Sequence, residues 1–179
     1  MLSTSVVIVL RLIHILVGIM WAGAIVFVAA FLMPTMKAVG PAAGPVMGHL
    51  TQVKKLPSYM VAGMLLTILS GITLFWNDSV GFKSDAWMHS GPGLAFSVGG
   101  TLAIVVAIIG LTVNSPTAKK IGTLSAAIRA SGGAAPPELA AEMQRCQNRL
   151  AAAMKVAAVL LLLAASMMAV ARYLPAALL

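Results

Sequence analysis

The chain has 179 residues, of which 60% are hydrophobic and only 9% are charged, with a formal net charge of +8. Soluble globular domains are typically about 45–50% apolar and about 25% charged, so this composition excludes an ordinary soluble domain. It also excludes an intrinsically disordered chain, which needs low hydrophobicity and high charge.

Four segments are long and apolar enough to be membrane-spanning helices, which need roughly 20 residues each. They cover residues 6–33, 56–76, 93–113 and 150–170. Period-2 alternation is absent, and open sheet edges are not tolerated in lipid, so helices are favoured over a barrel. We therefore expect one all-α domain over residues 1–179, an integral membrane four-helix bundle. The first segment is too long for the apolar region of a signal peptide and predicts a retained span.

The connections between these spans differ in charge. Residues 34–55 carry three lysines and no acid, and residues 115–149 carry five basic residues against two glutamates. Residues 77–92 carry one lysine against two aspartates. Because cytoplasmic loops are enriched in lysine and arginine, the expected topology is N-out and C-out in a bacterial inner membrane. The positive charge then indicates orientation and contact with anionic lipid headgroups, not nucleic-acid binding.

Two further patterns describe the helices. Pro136-Pro137-Glu138 predicts a helix start, and that helix should run into the fourth span as a long helix extending into the cytoplasm. Small residues also recur every four positions in the second and third spans, which predicts close helix packing in lipid. These residues are Gly63, Thr67 and Gly71 in the second span, and Ala95, Gly99, Ala103 and Ala107, followed by Gly110, in the third.

His14 is the strongest candidate for chemistry, because an ionisable residue inside a span is costly and indicates function. On a helix, Arg11, His14, Gly18 and Trp21 share one face. A histidine beside a glycine notch and an aromatic wall is a plausible seat for b-type haem, with the imidazole on the iron and Gly18 admitting the porphyrin edge. The alternative is a histidine hydrogen-bonded to a neighbouring helix.

Two arginines near the outer ends of the first and fourth spans fit the same interpretation. Arg11 and Arg172 could hold haem propionates, since a guanidinium binds carboxylates in a bidentate manner. The alternative is snorkelling of both side chains to the membrane interface. Met168 matches His14 in depth and is one candidate for the second axial ligand, and His89 is the other. An open axial position is a third alternative.

The twelve methionines favour a second, weaker interpretation, because thioethers are suitable ligands for Cu(I). Copper would then be handled by methionines and by His89 at the outer mouth of the bundle. Methionine is also a common apolar filler, and packing is the better explanation of the same residues. No nucleophile motif, phosphate loop or zinc-type ligand spacing is present in the sequence.

The spacing from His14 to Trp21 and Gly23, followed by an apolar run to Pro34, resembles the first helix of CopD-type copper-resistance membrane proteins. It is also similar to HemJ-type protoporphyrinogen oxidases. The segment from Ser58 to Gly71 looks like the second helix of the CopD type. The resemblance implies a four-helix fold akin to di-haem b cytochromes, with His14 as a haem ligand. HemJ-type oxidases carry a lysine in their third helix, and the third span of this chain has none, which argues against protoporphyrinogen oxidase activity. An enzyme of this fold would be a membrane oxidoreductase, either of the HemJ type or linked to quinol.

The preferred hypothesis is an inner-membrane protein with one b-type haem in the outer half of the bundle. Its role would be electron transfer or redox and gas sensing, with quinol or a periplasmic redox protein as partner. One alternative is a CopD-type copper permease. The other is a cofactor-free structural or assembly subunit that docks through its small-residue seams, and a homo-oligomer is compatible with each.

Overall fold

The computed structural model describes residues 1–132 and 135–175, apart from the side chain of Pro41. In these two ranges every regular element is a helix, and four helical stretches are long and apolar enough to cross a membrane. The predicted all-helical architecture with four such helices is therefore confirmed.

Shorter helical elements extend the first long helix and precede the second. Helix α1 spans Thr4–Phe27 and continues through a π-helical turn, Val28–Leu32, into α2, Met33–Val39. After the short helix α3, Ala43–Gly48, and a second π-helical turn, α4 spans Leu56–Asp78.

The third and fourth stretches follow a short helix α5, Asp85–Met88. Helix α6 spans Gly91–Ile109 and continues through a π-helical turn, Gly110–Asn114, into α7, Ser115–Ala130. Helix α8 spans Pro137–Val170 and begins at the proline where a helix start was predicted. At the start of α6, the Ser90 hydroxyl accepts a hydrogen bond from the Gly93 amide.

The first and third helical stretches run further than the apolar segments predicted them to run. Pro34 and Pro116 each lie two residues beyond a π-helical turn, and the helix continues past both of them. A proline has no amide hydrogen and its ring crowds the preceding turn. The wider π-helical turn relieves this crowding, so the chain is not broken into a loop at either proline.

The four long helices form two closely packed pairs. Helix α1 packs along α4, and α6 packs along α8, while contacts of α1 with α8 and of α4 with α6 join the pairs. The main apolar core lies towards the end of the bundle where α1 terminates. Its buried side chains come from all four helices: Trp21, Ile25, Ala29, Met64, Val106, Ala107, Met154, Ala157, Ala158 and Leu161.

The opposite end, where α1 begins, is packed differently. Among the described residues, its buried hydrophobic side chains are Ala95 of α6 and Ala164 and Ala171 in and after α8. Partly buried aromatic rings also join the helix pairs at this end, where Trp87 of α5 lies 5.1 Å from Phe75 of α4 and 6.5 Å from Phe96 of α6 between ring centroids. His14 lies at this end of α1.

Candidate functional site

His14 is held by the neighbouring helix α4. Its Nδ1 lies 2.8 Å from the backbone carbonyl oxygen of Thr67. A carbonyl oxygen can only accept, so Nδ1 donates the hydrogen and, in the neutral ring, Nε2 carries the lone pair. The Ser70 hydroxyl lies 3.3 Å from the same Nδ1 and donates to the Leu66 carbonyl at 2.6 Å. Within the described residues Nε2 has no hydrogen-bond partner.

A glycine of α4 makes room for the imidazole. A Cβ placed on Gly71 would lie 2.7 Å from His14 Cε1 and 3.1 Å from Nδ1, closer than real Cβ atoms approach their neighbours. Only a residue without a side chain therefore allows the ring to reach the Thr67 carbonyl. His14, Thr67, Ser70 and Gly71 together form the His14 site.

Gly18 and Trp21 have different neighbours from those that the helical face alone predicted. A Cβ on Gly18 would meet Thr67 Cγ2 at 3.3 Å, so the notch at Gly18 is occupied by a side chain of α4. Trp21 is 5% exposed and belongs to the apolar core, where its Cβ lies next to Gly63. A porphyrin edge at Gly18 would require Thr67 to move.

The two arginines near this end of the bundle already have protein partners. Arg11 forms an exposed ion pair with Asp78 at the end of α4, with a nitrogen–oxygen distance of 3.3 Å. Arg172 donates to the Tyr173 hydroxyl at 2.6 Å, and its guanidinium carbon lies 4.8 Å from the centre of that ring. Both guanidinium groups stay exposed, so each remains accessible to a further anion.

The two candidates for a second ligand lie on other elements. Met168 packs against Gly99 of α6, where an added Cβ would lie 3.0 Å from Met168 Cγ. His89 is exposed in the turn before α6, with Nδ1 2.9 Å from the Asp85 carbonyl oxygen. Among the described residues, the hydrogen-bond partners of His14 are Thr67 and Ser70 of α4, and neither Met168 nor His89 is one of them.

The sequence did not predict that Thr67, Ser70 and Gly71 contact the imidazole of His14. Thr67 and Gly71 were predicted to pack helices together, but not to hold the imidazole. Ser70 and Gly71 lie in the segment that resembles the second helix of the CopD type, but the resemblance predicted no role for either residue. The available signal was the small-residue repeat of the second span, which marks the face of α4 that contacts α1.

Within residues 1–132 and 135–175, no three His, Cys, Asp or Glu side chains lie close enough together to hold a metal ion. Haem ligation by one histidine does not require such a group, so this result does not bear on haem. Comparison of the chain with protein-family models, with curated proteins and with solved structures finds no match.

Proposed function

We propose that the chain is a multi-pass membrane protein that binds one b-type haem through Nε2 of His14 and exchanges electrons through it. The observation that supports this most is the tautomer of His14. Histidines that bind metals usually donate their other ring N–H to a carbonyl or carboxylate, which orients the ring and raises its basicity. The Thr67 carbonyl has that position relative to Nδ1.

The outward surface of the bundle supports the membrane part of the proposal. Ile15, Leu16 and Ile19 on α1 are 54%, 59% and 65% exposed. Soluble monomers rarely expose such continuous apolar patches, so a bilayer is the natural environment for this face. The basic connections at the end where α1 and α2 terminate support the proposal that this end faces the cytoplasm, with both termini outside a bacterial inner membrane.

The donor set at the other end is chemically suited to a haem, and seating a porphyrin there requires Thr67 to move away from Gly18. His14 offers a lone pair, Thr67 fixes the ring, and the exposed Arg11 and Arg172 offer hydrogen bonds to two propionates. Met168 or His89 would be the second residue that holds the haem. When bound, the haem supplies one-electron chemistry whose potential depends on its axial ligands and its burial. Its redox partner would be quinol or a periplasmic protein, in keeping with the CopD- and HemJ-type resemblance.

The cofactor-free subunit remains the second candidate function, and Gly18 favours it. Thr67 fills the notch at Gly18, and the His14 hydrogen bond joins α1 to α4 without any cofactor. In that case His14 is a structural residue and its replacement lowers stability only.

Pigment content tests the proposal. The protein is purified from membranes in mild detergent, and haem is measured per chain for the wild type, for His14→Ala and for His49→Ala. His49 lies in the first cytoplasmic connection, so it is the matched control. We expect His14→Ala alone to lose haem while keeping its helix content by circular dichroism. Equal haem in all three variants, or haem in none, would contradict the proposal.

A further inference from the structure

A second polar site lies at the opposite end of the molecule, where α7 packs against the first part of α8. Leu124 and Thr117 of α7 are buried in this hairpin. Lys120 of α7 forms an ion pair with Glu142 of α8 at 2.5 Å, which joins the two helices on their polar side.

Beside this ion pair lies an open cavity of about 260 Å³ on the protein surface, lined by Lys120, Glu142, Arg145, Cys146 and Arg149. The four residues from α8 recur at spacings of three and four, so they share one face of that helix. This face is turned towards α7, because Glu142 reaches Lys120. The side chains of Arg145 and Arg149 therefore line the same cavity as the ion pair.

The charges around the cavity do not balance. Three cations, Lys120, Arg145 and Arg149, face one carboxylate, which leaves a net charge of +2. The hydrogen bond from Lys120 lowers the pKa of the Glu142 carboxyl. The carboxylate is therefore ionised, and its ion-pair partner is Lys120. In the described part of the chain, neither Arg145 nor Arg149 forms an ion pair with a carboxylate.

We propose that this cavity is an anion site that takes a phosphate group. Two guanidinium groups on adjacent turns of one helix can donate to phosphate oxygens in the bidentate manner that arginine favours. Their exposed guanidinium groups line an open surface cavity, which suits a small anion such as a phosphate group.

The position of the cavity allows two sources of that phosphate. Arg149 directly precedes Leu150, the first residue of the apolar segment predicted to be the fourth span. The cavity therefore lies where the polar hairpin meets the apolar bundle, which is the depth expected for phospholipid headgroups. It also opens to solvent through its exposed arginines, so a soluble phosphate reaches it equally well.

The test titrates the full chain in a neutral detergent with two probes, inorganic phosphate and short-chain phosphatidylglycerol, by calorimetry. We expect saturable binding of at least one probe. Binding of the lipid alone assigns the site to a headgroup, and binding of inorganic phosphate assigns it to a soluble phosphate. Binding of neither probe would overturn the proposal.

Three variants show whether any binding belongs to the cavity. The double variant R145Q/R149Q should weaken binding about tenfold or more, because hydrogen bonds to charged groups are lost. The matched double variant K54Q/K55Q removes two charges at the same end of the bundle outside the cavity and should bind as the wild type does. Glu142→Gln should tighten binding, since it removes the one carboxylate among the described residues that line the cavity. Equal losses in the two double variants, or weaker binding in Glu142→Gln, would overturn the proposal.

Discussion

Replacing Gly71 by alanine should destabilise the bundle by displacing His14. The added Cβ would lie 2.7 Å from His14 Cε1, whereas ordinary contact begins at 3.4 Å, so the ring must retreat by about 0.7 Å. Overpacking of this kind costs about 1–3 kcal/mol. The hydrogen bond to the Thr67 carbonyl lengthens as the ring moves, which adds to the cost.

Gly100→Ala is the matched control for this substitution. Gly100 is also a helical glycine, but a Cβ there meets nothing within 4 Å. Both substitutions gain the same helix propensity, so this term cancels in their difference. Gly71→Ala should therefore be less stable than Gly100→Ala by about 1–3 kcal/mol.

The assay is unfolding in mixed detergent micelles with increasing dodecyl sulfate, followed by circular dichroism. A double-mutant cycle identifies the cause, because in a His14→Ala background the clashing ring is absent and the cost of Gly71→Ala should disappear. Equal stability of Gly71→Ala and Gly100→Ala would refute this reasoning. A Gly71→Ala cost that persists without His14 would also refute it.

Three further predictions use the same preparations. Trp21→Ala should cost about 3–5 kcal/mol in the detergent titration, because Trp21 is 5% exposed in the core, and a loss below 1 kcal/mol would contradict this. Asp78→Asn should cost less than about 1 kcal/mol, since its ion pair with Arg11 is exposed, and a larger loss would be inconsistent with that geometry. Acidification should loosen the α7–α8 hairpin, measured by hydrogen exchange in α7, and Glu142→Gln should lack this response.

Acid should loosen the α7–α8 hairpin because it removes the charge of Glu142 from the ion pair with Lys120. The pKa of the Glu142 carboxyl is lowered from 4.5 in the folded chain, chiefly by the hydrogen bond from Lys120. The stabilisation is therefore complete above pH 4.5 and is lost as the pH falls through the lowered pKa. Exchange in α7 that does not change on acidification would contradict it.

Much of the fold could be predicted because its pattern is local. Long apolar runs identify the four helices, and Pro136-Pro137-Glu138 marks where α8 begins. The small-residue repeats were also informative, since Gly63 and Gly71 contact α1 and Gly99 contacts α8. Gly110 is an exception, because a Cβ there would meet open space.

The features of the fold and of the His14 site that were not predicted depend on how separate segments pack against one another. Sequence spacing alone placed Gly18 beside His14 on the same helix, whereas the imidazole lies on Gly71, which is more than fifty residues away. The continuation of the helix past Pro34 and Pro116 depends on π-helical turns that no simple periodicity indicates. The partners of Arg11 and Met168 likewise become visible only when the helices are packed.

The most direct test of the central claim is the absorption spectrum of the purified wild-type protein before and after reduction with dithionite. The haem proposal predicts a Soret band that shifts on reduction, and that is absent from His14→Ala at the same protein concentration. A wild-type protein that is folded, helical and without a Soret band would contradict the proposal. His14 would then be a residue that joins α1 to α4.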